Sequence, residues 1–126
     1  MSVVLMVTDR PEGRLCQGIR EQVKPGFDVL LFKNMPDALG EGRDRGNPVA
    51  AVIIEFASGE GEEPERSQVA RLIEVVRSQP GFESAQLICI VPTLEARSRI
   101  VDQMGDIAGV TFHALEPFLN LIPELF

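Results

Sequence analysis

The sequence predicts a doubly wound α/β domain: five parallel strands in the order 2-1-3-4-5, with helices on both faces. Three observations carry this reading. The first is Val49-Ala50-Ala51-Val52-Ile53-Ile54-Glu55, a small or apolar run ending on a carboxylate, which reads as a central strand buried on both faces. The second is that short apolar runs alternate with helical patterns along the chain, as a parallel sheet with crossover helices requires. The third is that such crossovers are right-handed almost without exception, which leaves the doubly wound arrangement as the leading solution. Periodicity alone does not separate the order 2-1-3-4-5 from other three-layer orders.

Taken in order, Val3 to Val7 form a first strand closed by Thr8-Asp9. Asp9-Arg10-Pro11-Glu12 then has the pattern of a helix start: an acidic cap, a proline in the first turn and a glutamate three residues after the cap. Leu15, Cys16, Ile19 and Val23 recur at helical spacing until Lys24-Pro25-Gly26 stops them. Asp28 to Phe32 is a second strand. Met35 to Leu39 predicts only a brief helix, because Gly40, Gly42 and Gly46 weaken everything up to Pro48. The strand ending at Glu55 follows, and after it an acidic loop, Ser58-Gly59-Glu60-Gly61-Glu62-Glu63.

Pro64-Glu65 opens a helix with Val69, Leu72, Ile73 and Val76 on one apolar stripe, ended by Ser78-Gln79-Pro80-Gly81. Leu87 to Val91 is the fourth strand. Pro92-Thr93 leads into a helix carrying Leu94, Ile100, Val101, Met104 and Ala108, with Gly109 as its terminator. Val110 to Leu115 is the fifth strand, left by Glu116-Pro117-Phe118. A short or missing last helix is expected, since Leu119 to Phe126 allow at most about two turns and Pro123 interrupts them.

A chain of 126 residues makes one domain, able to bury roughly two-thirds of its unfolded surface without staples. No apolar run approaches the roughly 20 residues of a membrane span. Met1-Ser2-Val3 has no basic region ahead of its apolar stretch, so no signal peptide is expected and a cytoplasmic protein is. A net charge of −7 without a Lys/Arg cluster argues against nucleic acid as the partner. Cys16 and Cys89 each lie in an apolar segment and read as buried free thiols. One histidine and two cysteines without ligand spacing argue against zinc.

The strand ends resemble those of the receiver domain of two-component response regulators, over nearly the whole chain. The resemblance implies a CheY-like or flavodoxin-like fold, with Thr8 and Asp9 where the family has its magnesium-holding acidic pair. Glu55 falls at the phosphoacceptor aspartate, Val91 at the hydroxyl residue, with Thr93 two residues late, and Glu116, within Glu116-Pro117-Phe118, at the lysine. His113 falls at the aromatic switch position. Each departure removes a working part. Glutamate carries its oxygen on the order of 1.5 Å farther out than aspartate, enough to damage in-line positioning. Glu116 also puts a negative charge where transferring phosphoryl oxygens require a positive one. The expectation is a degenerate pseudo-receiver, not an enzyme, that works without phosphorylation through protein–protein contacts.

Other readings stand beside this one. Asp9 and Glu55 are weak candidates for a divalent cation such as Mg²⁺, and with Glu116 would make a cluster of three carboxylates. Asp9 as a helix cap explains the same residue, and Arg10 could supply counter-charge. A receiver that keeps cation binding and weak phosphoacceptance is the first alternative. A small flavodoxin-like enzyme is the second, disfavoured because no phosphate-binding loop follows the first strand. The acidic loop lacks the lysine and hydroxyl of a phosphate loop and carries repelling acids. The tail is apolar on most sides, so Phe118, Leu121, Ile122, Leu125 and Phe126, with His113, are the expected contacts for a protein partner or a homodimer.

Overall fold

The computed structural model describes residues 2–10, 12–45, 49–56 and 66–126, with the backbone alone at 43–45. Strands and helices alternate: β1 (Ser2–Val7), α1 (Arg14–Gln22), β2 (Phe27–Phe32), α2 (Met35–Arg45), β3 (Val49–Glu55), α3 (Arg66–Arg77), β4 (Gln86–Val91), α4 (Leu94–Met104), β5 (Val110–Ala114) and α5 (Leu115–Leu125). All neighbouring strands pair in parallel, and the order is β2-β1-β3-β4-β5. This is the flavodoxin-like, CheY-like arrangement the sequence predicts. Among the described residues no helix is long and apolar enough to cross a membrane.

Alternation along the strands feeds two cores. Val3, Leu5 and Val7 of β1 join Val52 and Ile54 of β3 on the face covered by α2, α3 and α4. Val4 and Met6 join Ala51 and Ile53 on the opposite face, under α1 and α5. Between the Val3/Val49 and Val4/Ala51 partners the register shifts. Ala50 is the extra, exposed residue there, as in a β-bulge. From that point on, Val7 pairs with Ile54, which fixes what meets at the carboxyl end of the sheet. Cys16 and Cys89 are buried free thiols, and burial pushes the Cys89 thiol up to about 12.

Several elements depart from the sequence expectation. Asp9 does not cap α1: the helix begins at Arg14 behind Gly13, which makes no side-chain cap bond, and the intervening turn is closed by Gly13 N–H donating to the Arg10 carbonyl. Helix α2 runs from Met35 to Arg45 instead of stopping at Leu39. Asn34 Oδ1 accepts the Asp37 N–H at its start, 2.9 Å, as an N-cap asparagine does. Gly42 in that helix is a packing device. A Cβ there would collide with the ring of Phe82 and come within 3.3 Å of Leu5 Cδ1. Helix α4 ends at Met104, because Gly105 takes a left-handed φ of 69° and stops it before Ala108 and Gly109.

The last helix is neither short nor missing. α5 has 11 residues and starts directly from β5 at Leu115. Pro117 sits in its first turn, where a missing N–H breaks no intrahelical bond, so Glu116-Pro117-Phe118 opens the helix. Pro123 falls within the last turn, where only one bond is forfeited and the Phe126 N–H still reaches the Ile122 carbonyl at 2.9 Å. The Pro64-Glu65 helix start and the acidic loop Ser58 to Glu63 lie outside the described residues.

Candidate functional site

In an open parallel sheet, functional groups collect beyond the carboxyl ends of the strands. The paired ends of β1 and β3 bring Thr8 beside Glu55. Thr8 is 2% exposed. Its hydroxyl donates to Glu55 Oε1 at 2.5 Å, the length of a charge-assisted O–H···O⁻ bond. Thr8 Oγ1 also accepts the backbone N–H of Arg10 at 3.0 Å. Thr8 N–H in turn donates to the Phe32 carbonyl at 2.9 Å, and Phe56 N–H to the Ile90 carbonyl at 2.9 Å, so both strand ends are anchored to their outer neighbours. Glu55 is half-buried, its carboxylate held across the sheet by a buried hydroxyl.

The other sequence-predicted positions do not join it. Val91 is 1% exposed and contributes no hydroxyl. Thr93 is spent on capping α4, its Oγ1 accepting the Ala96 N–H at 3.1 Å. Glu116 forms an ion pair with Arg14, joining the first turns of α5 and α1 at the exposed surface, so the three-carboxylate cluster with Asp9 and Glu55 does not form. Asp9 itself is exposed. Among the described residues no group of three or more His, Cys, Asp or Glu side chains is arranged to hold a metal ion.

Cys16 is a neighbour that spacing did not reveal. Its thiol donates to the Arg10 carbonyl at 3.4 Å. Burial pushes that thiol up, the Glu55 carboxylate pushes it further, and Arg20 pulls the other way. A thiol so placed stays protonated at neutral pH and is a poor nucleophile. The site therefore comprises a carboxylate, a hydroxyl and a thiol whose polar atoms are turned on one another and on the β1–α1 turn.

The expected partner contacts divide. Phe118 and Ile122 are fully buried and Phe126 is 5% exposed. All three belong to the core between α1, α5 and the sheet, so the fold itself covers them and they are not surface contacts. Phe126 also meets Phe27 edge-on, centroids 5.6 Å apart. Leu121 is half-buried and Leu125 exposed. His113 is half-buried, with Nε2 3.1 Å from Thr111 Oγ1 and its ring against Phe118, centroids 5.2 Å apart. Burial and the Arg97 guanidinium lower its pKa.

The fold and these strand ends together define a three-layer α/β domain in which a Thr8–Glu55 hydrogen bond spans the carboxyl ends of β1 and β3. The chain matches no family model, no curated protein and no solved structure. The receiver resemblance accordingly rests on strand-end residues and topology.

Proposed function

We propose that this chain is a pseudo-receiver: a signalling module that does not accept phosphate and acts by docking a protein partner or a second copy. The observation that carries the reading is the 2.5 Å bond from Thr8 to Glu55. Transfer to a carboxylate requires a free oxygen aligned for attack and positive charge around the phosphoryl oxygens. Here one of the two Glu55 oxygens accepts the Thr8 hydroxyl, a buried valine stands at the hydroxyl position, and the residue at the lysine position is an acid paired with Arg14. The edge formed by β5 with α4 and α5 supports the docking half of the proposal. His113, Leu121 and Leu125 lie on β5 and α5, and Leu94, on α4, is 60% exposed.

A backbone amide NMR titration with Mg²⁺ and then beryllium fluoride, which imitates the phosphoryl group, tests the reading. No saturable shifts are expected at Asp9, Glu55 or Val91. Saturating shifts concentrated there would overturn it in favour of a cation-binding receiver with residual phosphoacceptance.

A further inference from the structure

The two edges of the sheet are not alike. At the β5 edge a main-chain acceptor is already used: the Phe112 carbonyl accepts the Arg97 Nε–H, reaching from α4, at 2.8 Å. The other edge is β2, bonded to β1 alone among the described strands. Ser2 N–H donates to the Gly26 carbonyl and Thr8 N–H to the Phe32 carbonyl, so the even-numbered residues of β2 turn their main chain toward β1. In a parallel ladder the alternate residues turn theirs away, and these are Phe27, Val29 and Leu31. Natural edge strands are blunted by lysine, proline, a bulge or brevity. β2 runs Phe27-Asp28-Val29-Leu30-Leu31-Phe32, without lysine or proline, and its register against β1 is unbroken throughout.

The side chains extend the same edge. Phe27 and Val29 pack on the face of the sheet under α1, and Leu31, on that face by alternation, is 37% exposed. With Ile19 and Val23 of α1 they line a groove of about 310 Å³ beside the strand. A strand added to β2 would gain main-chain bonds and a row of apolar contacts at alternate residues, the two parts of recognition by strand addition. β2 is itself such a strand, and its charge sets the register. Two copies paired antiparallel about a two-fold axis at Leu30 set Val29 of each against Leu31 of the other as a hydrogen-bonded pair, with Leu30 against Leu30 on the opposite face. Asp28, the only charge in the strand, then faces Phe32 and lies well along the seam from its own copy. A register centred on Val29 would instead bring the two Asp28 side chains to diagonal positions, about 7–8 Å apart.

We infer that β2 is a self-pairing edge: two copies of this chain join their sheets through antiparallel β2 strands with Leu30 at the two-fold axis, and Leu31 of each closes the α1–β2 groove of the other. This edge lies across the sheet from the β5, α4 and α5 surface proposed for docking, so either can fail alone. One strand pair with its groove is smaller than the roughly 800 Å² per partner of a stable interface, which makes the association weak and concentration-dependent. The test is sedimentation of the whole chain over a dilution series, with backbone amide hydrogen exchange measured at the lowest and highest concentrations. A dimer is expected whose formation slows exchange at Val29 and Leu31 and leaves β5 unchanged. Leu31→Lys, at an exposed position, should weaken dimerisation about tenfold, or about 1.4 kcal/mol, while the thermal midpoint at low concentration stays that of the native chain. A chain that remains monomeric at the highest concentration would overturn the inference. So would a dimer indifferent to Leu31→Lys, protection that falls on β5, α4 or α5, or Val29 and Leu31 amides protected equally at every concentration.

Discussion

Replacing Thr8 by valine is the sharpest perturbation of the closed strand end. Valine matches the shape of threonine, so a side chain that is 2% exposed keeps its packing and loses only the hydroxyl. That hydroxyl makes two bonds, donating to Glu55 at 2.5 Å and accepting from Arg10 N–H at 3.0 Å. A hydrogen bond to a charged group contributes about 1.5–3 kcal/mol net. Glu55 is half-exposed and can recruit water once released, which places the loss near the lower end, about 1.5–2 kcal/mol for the pair of bonds. With a urea slope of roughly 1–3 kcal/mol/M, the denaturation midpoint should fall by about 1 M. A double-mutant cycle of Thr8→Val with Glu55→Ala isolates the coupling, expected near 1 kcal/mol. A Thr8→Val protein as stable as the native chain, or a cycle with no coupling, would refute the idea that the hydroxyl holds the carboxylate. It would also remove the main support for a site that is shut.

Three further outcomes follow from the packing and electrostatics. Gly42→Ala should destabilise by about 1–2 kcal/mol despite alanine's better helix propensity, because the new methyl meets the fully buried Phe82 ring. Gly18→Ala comes closest to the Leu119 Cδ2 tip, 2.7 Å away, with Ile122 Cδ1 at 3.4 Å in ordinary contact, and should cost less than Gly42→Ala, so thermal denaturation of the two variants side by side checks the packing argument. Arg77→Met keeps the stem and removes bonds to the Phe82, Ala85 and Gly109 carbonyls; a loss of about 2 kcal/mol is expected in urea denaturation. Burial and Arg97 lower the His113 pKa, so the unfolded chain takes up this proton first as pH falls. The stability that a neutral His113 allows is complete above about pH 6.5 and declines as pH drops toward the lowered folded value. Comparing urea midpoints at neutral and mildly acidic pH, His113→Gln should show a smaller acid loss than the native chain.

What the sequence made legible was whatever a local window contains. The apolar runs from Val3 to Val7 and from Val49 to Ile54 are strands buried on both faces, and their alternation with helices pointed to the parallel sheet, while the order 2-1-3-4-5 was one of several that periodicity allowed. Glu55 was placed correctly, since a carboxylate closing such a run has to emerge at the sheet edge. Gly42 was misread because its reason is Phe82, far along the chain; propensity counts the glycine as a weakness when it is the space for a ring. Pro117 reads equally as an exit or as a first-turn residue, and only the continuation of α5 to Leu125 decides. Thr8 was legible as a lost acid but not as a donor, because its meeting with Glu55 depends on the register set by the bulge at Ala50. Cys16 near Glu55 depends on how α1 lies over the sheet.

Arg77 reaches from the end of α3 to the carbonyls of Phe82 and Ala85 before β4 and of Gly109 before β5. Those points lie at the amino ends of the strands, opposite Glu55, so one guanidinium rivets two neighbouring loops at the foot of the sheet. Gly105 and Gly109, both at positive φ, bracket the stretch between α4 and that rivet. Gly109 is itself held there, its carbonyl also accepting the Leu87 N–H at 2.8 Å. The foot of β5 is thereby fastened to both α3 and β4, and the carboxyl edge, where Thr8 meets Glu55, is the end of the sheet farthest from that anchor.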